Sequence, residues 1–515
     1  MAVTKDFSVG GILSSISKNG YAEIKAPVQN GNITVSITGE NTVTHTGIGG
    51  IIGNMESGKI LKNDSGKRGS VAGQISVTSH SEASGQWHAV SAIAGFVAEN
   101  AAEISDVDVL ATNNSALTLD MTKAASNTYL AGFAGYISTA VTLKNLVNNM
   151  PVNYKTNTQG TANCLPYISG GCGRTLAAFT MDNCTNNGDI TVEGTKLTVE
   201  LDLGGLIACP NTAHGKWSNL TNNGNILVKK GDGVYGILYI GGIAGGQMVA
   251  CTADNHFTNC TNNGDITLEE GVTTTAKTAN IRLGGCFAWA KQSYDENIRN
   301  NGDINIHAIT KGSNTQLLIG GVYGYNAAGA ASDMDGGYVN TGTITITGGS
   351  TTSTNVFGVA AGGIVGAFYG NISNAVNIGD IKFTGNANSA NSTVGGIVGY
   401  STAAGKITNC KHYANIQALD MTKDGAVYPN VGAITGSHRV QKTGAGTART
   451  ALVENCQLGG AMLGEYNTED EEYKTTNLSE SNFYNYIYGS GESTDWTGTD
   501  NYDGCTVLTA KPNVD

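Results

Sequence analysis

Ten cysteines, eight histidines, a recurring Gly-Asp step and a recurring aromatic are the features of this 515-residue chain that could do chemistry. Metal binding is the first possibility for the thiols. Cys184, Cys260, Cys410 and Cys456 each follow an asparagine, in a slot that Leu146, Leu220, Ile298, Tyr338 or Ala375 fills elsewhere. A slot shared with ordinary hydrophobes uses cysteine as a small apolar side chain, and no zinc-type CxxC pair occurs. Buried, unpaired thiols are expected. His45, His80, His88, His214, His256, His307, His412 and His438 share no repeat position and form no HExxH pair. Neither a GxSxG elbow nor a phosphate loop is present. Asp189, Asp265, Asp303 and Asp380 recur in one column. Carboxylates stacked about 5 Å apart would repel one another, and calcium would relieve them. Asn32, Gln74, Asn225 and Thr343 interrupt the column, however, so it reads as turn acids facing water. No metal, no cofactor and no catalytic set is expected.

Tyr136, Trp289, Tyr325 and Tyr400 each lie four residues past a small-residue pair that is usually Gly-Gly. Facing outward, they would offer flat faces to sugar rings, with Trp289 and Tyr325 on consecutive repeats as a platform. Facing inward, they would pack a corner against the adjacent loop. They are the candidate ligand-stacking residues.

The elements that must position them come from two repeated phrases. The first, apolar–Gly–Gly–apolar–apolar–Gly, reads clearly at Ile48–Gly53, Ile240–Gly245 and Val394–Gly399. Its second glycine falls at Gly11, Gly50, Gly95, Gly132, Gly171, Gly205, Gly242, Gly285, Gly321, Gly363 and Gly396, with Ala433 last, a mean spacing of about 38 residues. The following residue is apolar throughout, Phe96, Cys172 and Cys286 included. The second phrase, NNGDI in its full form, closes on a β-branched residue: Ile33, Ile75, Val109, Val152, Ile190, Ile226, Ile266, Ile304, Ile344, Ile381 or Ile416. Another apolar residue follows two places on, and this alternation is the signal of a strand. No helical period appears before the C-terminal tail.

Parallel strands at a fixed spacing, with no helices between them, require a chain that winds as a solenoid. The expected fold is therefore all-β: a right-handed parallel β-helix of about twelve 38-residue units over residues 1–464. Spacings of 33 to 45 residues favour one large turn per repeat over two of about 19. Asn145, Asn183, Asn219, Asn259, Asn297, Asn374, Asn409 and Asn455 precede the thiol slot, and as left-handed turn residues they would stack into a ladder. Residues 465–515 change composition. The run Glu469–Glu472 reads as a solvated loop, and Ser479 could cap a short helix through Tyr488, ending at Gly489. A cap over the open end of the solenoid is the expected role.

Composition excludes other classes. The 72 glycines accompany only 6 prolines, unlike collagen. A 40% apolar content with 14% charge argues against disorder. No apolar run approaches 18 residues, so no helix spans a membrane. A net charge of −12 disfavours nucleic acid and anionic lipid.

The phrases Val394–Cys410 (VGGIVGYSTAAGKITNC) and Ala361–Ile381 (AGGIVGAFYGNISNAVNIGDI) resemble the GLUG-motif repeats of bacterial surface proteins. More loosely, they are similar to glycine-rich repeat proteins of gut Bacteroidetes, over residues 9–460. The resemblance implies a secreted or surface-anchored, adhesin-like protein with no catalytic residues to carry over. Met1–Phe7 (MAVTKDF) contains neither a signal peptide nor a lipobox cysteine, which fits a mature form with an initiator Met added. The expected function is a non-catalytic, extracellular or cell-surface solenoid. It would act as a monomer and bind a glycan or protein of a host or neighbouring cell. Two alternatives stand beside it. A carbohydrate-active β-helix enzyme would show two or three carboxylates converging in a groove, and a structural spacer would hold another module away from the cell.

Overall fold

A computed structural model describes residues 7–37, 45–80, 87–121, 127–156, 165–194, 200–210, 215–229, 234–235, 237–247, 252–270, 272–274, 280–290, 294–307, 310–311, 316–326, 333–347, 359–385, 393–401, 405–420, 430–438, 452–467, 472–482, 487 and 504–514. Its strands stack in parallel from turn to turn, and no helix occurs among the described residues: the chain is a β-solenoid. Each repeat makes one turn. His45–Gly49 lies in a first sheet, the chain bends at Gly50 and Ile51, Ile52–Leu61 and Gly69–Val71 lie in a second, and Ile75–Ser79 lies in a third. The next turn opens with Trp87–Ser91. The glycine step is thus a bend, with backbone hydrogen bonds between turns continuing through it, as from Ile51 N–H to the Ile93 carbonyl at 3.1 Å.

The chain forms two compact units, residues 1–249 with 254–272, and residues 250–253 with 273–515. In the first unit Ile33, Ile75, Leu117, Val152, Ile190, Ile226 and Ile266 are successive partners. In the second, Ile304, Ile344, Ile381 and Ile416 form the same file. All but Ile33 are fully buried. Burying such a side chain contributes about 1.5–3 kcal/mol, and a single turn could not bury one without its neighbours.

Three register expectations are corrected. Val109 does not join this file, because residues 110–116 loop out ahead of the true strand Leu117–Met121. Phe96 and Cys172 do not directly follow the small-residue pair. The pair equivalent to Gly49-Gly50 is Ser91-Ala92 in the third turn and Ser169-Gly170 in the fifth, so Ile93 and Gly171 take the place of Ile51. Phe96 instead pairs with Asn54 and Tyr136, and Cys172 with Ala134 and Ile207. Serine and alanine are small enough to make the bend, so a later glycine imitates the motif.

Two asparagine ladders hold the turns in register. Asn145, Asn183, Asn219, Asn259, Asn297, Asn374, Asn409 and Asn455 all have φ between 52° and 57°, the left-handed region that asparagine tolerates. Asn183 Nδ2 donates to Asn145 Oδ1 at 2.8 Å, and Asn145 Nδ2 donates to Asp106 Oδ1 at 3.1 Å. The second ladder is fully buried and was not foreseen. Asn148, Asn186 and Asn222 each donate Nδ2 to the Oδ1 of the next amide, as far as Asn262, at 2.7–2.8 Å. Each also donates to a carbonyl two residues along its own turn, at 2.9–3.0 Å. Both amide hydrogens are used. In the second unit Asn300, Asn340 and Asn377 repeat the pattern, and Asn377 Nδ2 donates to His412 Nδ1 at 3.1 Å. Burial pulls the His412 imidazole down to about 4, so it stays the neutral acceptor this position requires.

The buried ladder explains the second glycine of the pair. A methyl group on Gly205 would lie 2.5 Å from Asn222 Cγ and 1.9 Å from the Gly242 carbonyl oxygen. Where the ladder position holds Val109 or Leu458, the bend holds Ala92 or Ala433; Gly50 faces Val71 instead of an amide, and there the Ala92 carbonyl of the next turn, 2.1 Å from an added methyl group, sets the requirement. Gly-Asp carboxylates also join turns: Asp189 accepts the Asn225 N–H at 2.8 Å, Asp303 that of Thr343 at 2.7 Å and Asp380 that of Asn415 at 2.9 Å. Cys172, Cys184, Cys209, Cys260, Cys286, Cys410, Cys456 and Cys505 are buried, and no disulfide joins any two of them; Cys164 and Cys251 lie outside the described residues.

At the C-terminal end of the second unit the edges of the second and third sheets meet further chain. Glu472–Asn477 returns antiparallel along Ala461–Asn467, and Thr506–Val507 pairs with Gln457–Gly459. The Ile487 carbonyl accepts the N–H groups of Ile434 and Thr435. Of the segment expected to be helical, Ser479–Asn482 forms a turn closed by Asn482 N–H on the Ser479 carbonyl at 3.1 Å. Residues 483–486 and 488–489 lie outside the described residues, as do 469–471 of the acidic run.

Candidate functional site

The strands on either side of the bend have a second face, turned away from the core. On the first-sheet strands of the first unit this face carries the file Ser8, Gly47, Ala89, Tyr129, Tyr167, Asp202 and Tyr239. On the second-sheet strands it carries Ser15, Asn54, Phe96, Tyr136, Arg174 and Cys209. The two files meet across the angle of the bend, with the Tyr129 and Tyr136 rings 5.0 Å apart. Large residues fill the angle. Where Ser8, Gly47 and Ser15 are small it opens into a cleft of about 470 Å³, lined among others by His45, Asn54, Glu56, Trp87, Phe96 and Tyr136.

The aromatic wall is one connected set. Trp87 meets His45 edge-on at 4.9 Å and Tyr136 at 5.4 Å; Phe96 meets Tyr136 at 5.6 Å and His45 at 5.9 Å. Such pairs add about 0.5–1.5 kcal/mol each beyond burial, and they fix the ring planes. Burial raises the pKa of the Tyr136 hydroxyl, so it stays a neutral donor. The polar wall follows from strand alternation. Asn54 and Glu56 share a face of Ile52–Leu61, while Met55 between them is fully buried in the core. Glu56 is held in place: Oε2 accepts the Lys18 N–H at 3.0 Å and Oε1 accepts from Asn54 Nδ2 at 3.1 Å.

No protein-family model, curated protein or solved structure matches this chain.

Farther along the same angle the space is filled. The Arg174 guanidinium lies over the Tyr167 ring at 5.2 Å. Asp202 is fully buried, beside the Cys209 thiol and the Glu200 side chain. Burial above all, with the neighbouring Glu200 charge, holds its pKa well above the carboxylate range. In the folded state Asp202 therefore keeps its proton, while the unfolded chain ionises above about pH 4. Stability falls as pH rises from there until the folded carboxyl also ionises. Asp202→Asn removes that dependence. Its stability relative to wild type should improve by up to about 1.4 kcal/mol per pH unit above pH 4, as read by urea unfolding at pH 4, 5.5 and 7. A pH-independent difference would contradict the buried, protonated acid.

Tyr136 lines the cleft. The other sequence-derived candidates lie in the second unit. Trp289 and Tyr325 are paired with ring centres 6.0 Å apart, as their spacing suggested. The Arg282 guanidinium sits 3.7 Å from the Trp289 ring centre and 4.5 Å from that of Tyr325. Tyr400 is 6% exposed and packs with Leu318, Ala360 and Ala367. His45, Asn54, Glu56, Trp87 and Phe96 escaped the sequence reading. Trp87 and Phe96 flank the Ala92-Ile93 bend, and anchoring that repeat on Gly95 instead turns Phe96 into a core residue and hides the pair.

Proposed function

We propose that the chain is a non-catalytic, carbohydrate-binding solenoid of the cell-surface type, and that the aromatic cleft is its ligand site. One observation carries this reading. Trp87, Phe96 and Tyr136 present ring surface within a single concavity whose other wall is the polar pair Asn54 and Glu56. A sugar needs both, because its C–H faces pack on rings while its hydroxyls need fixed donors and acceptors. The cleft volume falls in the range of small-ligand pockets. Among the described lining residues Glu56 is the one carboxylate, whereas glycoside hydrolysis ordinarily needs two; this favours binding over turnover. The GLUG-like order of glycine pair, Asn-Cys and Gly-Asp-Ile supports placement at a bacterial surface as an adhesin-like protein.

A glycan array followed by calorimetry on its hits tests the assignment. Trp87→Ala should weaken a bound glycan at least about tenfold, as expected for loss of an aromatic hot spot. Trp289→Ala should leave affinity unchanged, since Arg282 already covers that ring. Binding lost in Trp289→Ala but kept in Trp87→Ala would move the site to the second unit, and release of a cleaved product would replace binding with catalysis.

A further inference from the structure

Resting on the carbohydrate reading of the cleft, we propose that it selects sugars carrying a protonated amine over their N-acetylated, hydroxylated and acidic counterparts. The charges lining it are one-sided. Glu56 supplies a carboxylate, and no lysine or arginine is among the described lining residues. A uronic or sialic acid would meet Glu56 with no cation to balance its own charge. An ammonium group is favoured twice. The faces of Trp87, Phe96 and Tyr136 carry the negative side of the ring quadrupole and attract a cation. Glu56 can form with it a charge-assisted hydrogen bond, about twice as strong as a neutral one.

Pre-organisation adds to the preference. The Lys18 N–H and Asn54 Nδ2 fix the carboxylate before any ligand arrives, and each of its oxygens keeps a further lone pair. An N-acetyl group removes the positive charge and adds bulk at the point where the carboxylate must be approached. A hydroxyl keeps only a neutral hydrogen bond.

The test is calorimetry at about pH 6, where an amino-sugar nitrogen is mostly protonated and an ordinary carboxylate is ionised, with four matched oligosaccharides: glucosamine, N-acetylglucosamine, glucose and glucuronate oligomers. Wild type should bind the glucosamine oligomer about tenfold or more tighter than the glucose oligomer, in line with one charge-assisted bond plus a cation–ring contact. The uronate should bind weakest. Glu56→Gln should lower the amine-to-neutral affinity ratio about fivefold or more, leaving only the part the rings supply, whatever it does to the neutral ligand itself. A salt series on wild type gives a second reading that needs no variant: amine affinity should fall between about 20 and 500 mM salt while neutral affinity holds.

Equal binding of amine and neutral oligomers, abolished by Trp87→Ala, would overturn the charge selection and leave the carbohydrate site standing. An amine preference left undiminished by Glu56→Gln and by salt would also overturn it. Failure of all four oligomers and of the wider glycan array would overturn both readings.

Discussion

Gly205→Ala should destabilise the first unit by about 3 kcal/mol or more, at or above the upper end of ordinary overpacking. The backbone at Gly205 is not left-handed, so the cause is crowding and not a forbidden conformation. The added methyl group meets the Gly242 carbonyl of the next turn at 1.9 Å and Asn222 across the core at 2.5 Å. Neither can yield cheaply. The turn spacing is fixed by hydrogen bonds on both sides of the bend, Gly205 N–H to the Gly241 carbonyl at 3.1 Å and Leu206 N–H to the Ile243 carbonyl at 3.0 Å. Gly31→Ala is the control: nothing lies within 4 Å of its added methyl group. It should be neutral, or gain a few tenths of a kcal/mol (about 0.4–1) from a less flexible unfolded chain. Urea unfolding followed by circular dichroism separates the two, and equal midpoints would refute the role assigned to the glycine.

Asn222→Ala should cost roughly 3–5 kcal/mol, because it strands three buried partners at once and each carries about 1–3 kcal/mol. They are an Asn186 amide hydrogen, the Gly224 carbonyl and Asn262 Oδ1. The adjacent Asn223 makes the same kind of bonds, with Asn187 and Asn263, at 2.7 Å each, but in solvent. Asn223→Ala should therefore cost less than about 1 kcal/mol, since water replaces what is lost. The pairing of Ala92 with Val109 supplies a further check. Combining Gly205→Ala with Asn222→Val should cost clearly less than the sum of the single changes, as residues in contact couple; strict additivity would separate the glycine from the ladder.

Much of this architecture is legible in the residues. Alternation at Ile190, Ile226 and Ile266 identifies a strand, and recurrence without helices forces winding. The eight left-handed asparagines that precede the thiol slot are readable because few other residues accept that conformation. Other features are not local. The first asparagine of NNGDI looks like a turn residue, and only its position opposite a glycine shows that it is buried. Val109 satisfies the pattern of a core strand as well as Leu117 does, and only the pairing across turns distinguishes them. The cleft is least legible. Period-two alternation says that a strand has two faces, but not that the outward faces on either side of one bend close on each other. His45, Trp87 and Glu56 come from two turns and three strands, and no single stretch of sequence announces their meeting.

The buried amides all point the same way, each giving its hydrogen to the turn that follows. Their dipoles lie head to tail, so each bond polarises the next, by about 10–30% in strength. A row of this kind is weakest at its ends and hardest to interrupt in the middle. Opening should therefore begin as fraying at the terminal turns and travel inward, and amide hydrogens beside Asn186 and Asn222 should be among the last in the first unit to exchange with deuterated water.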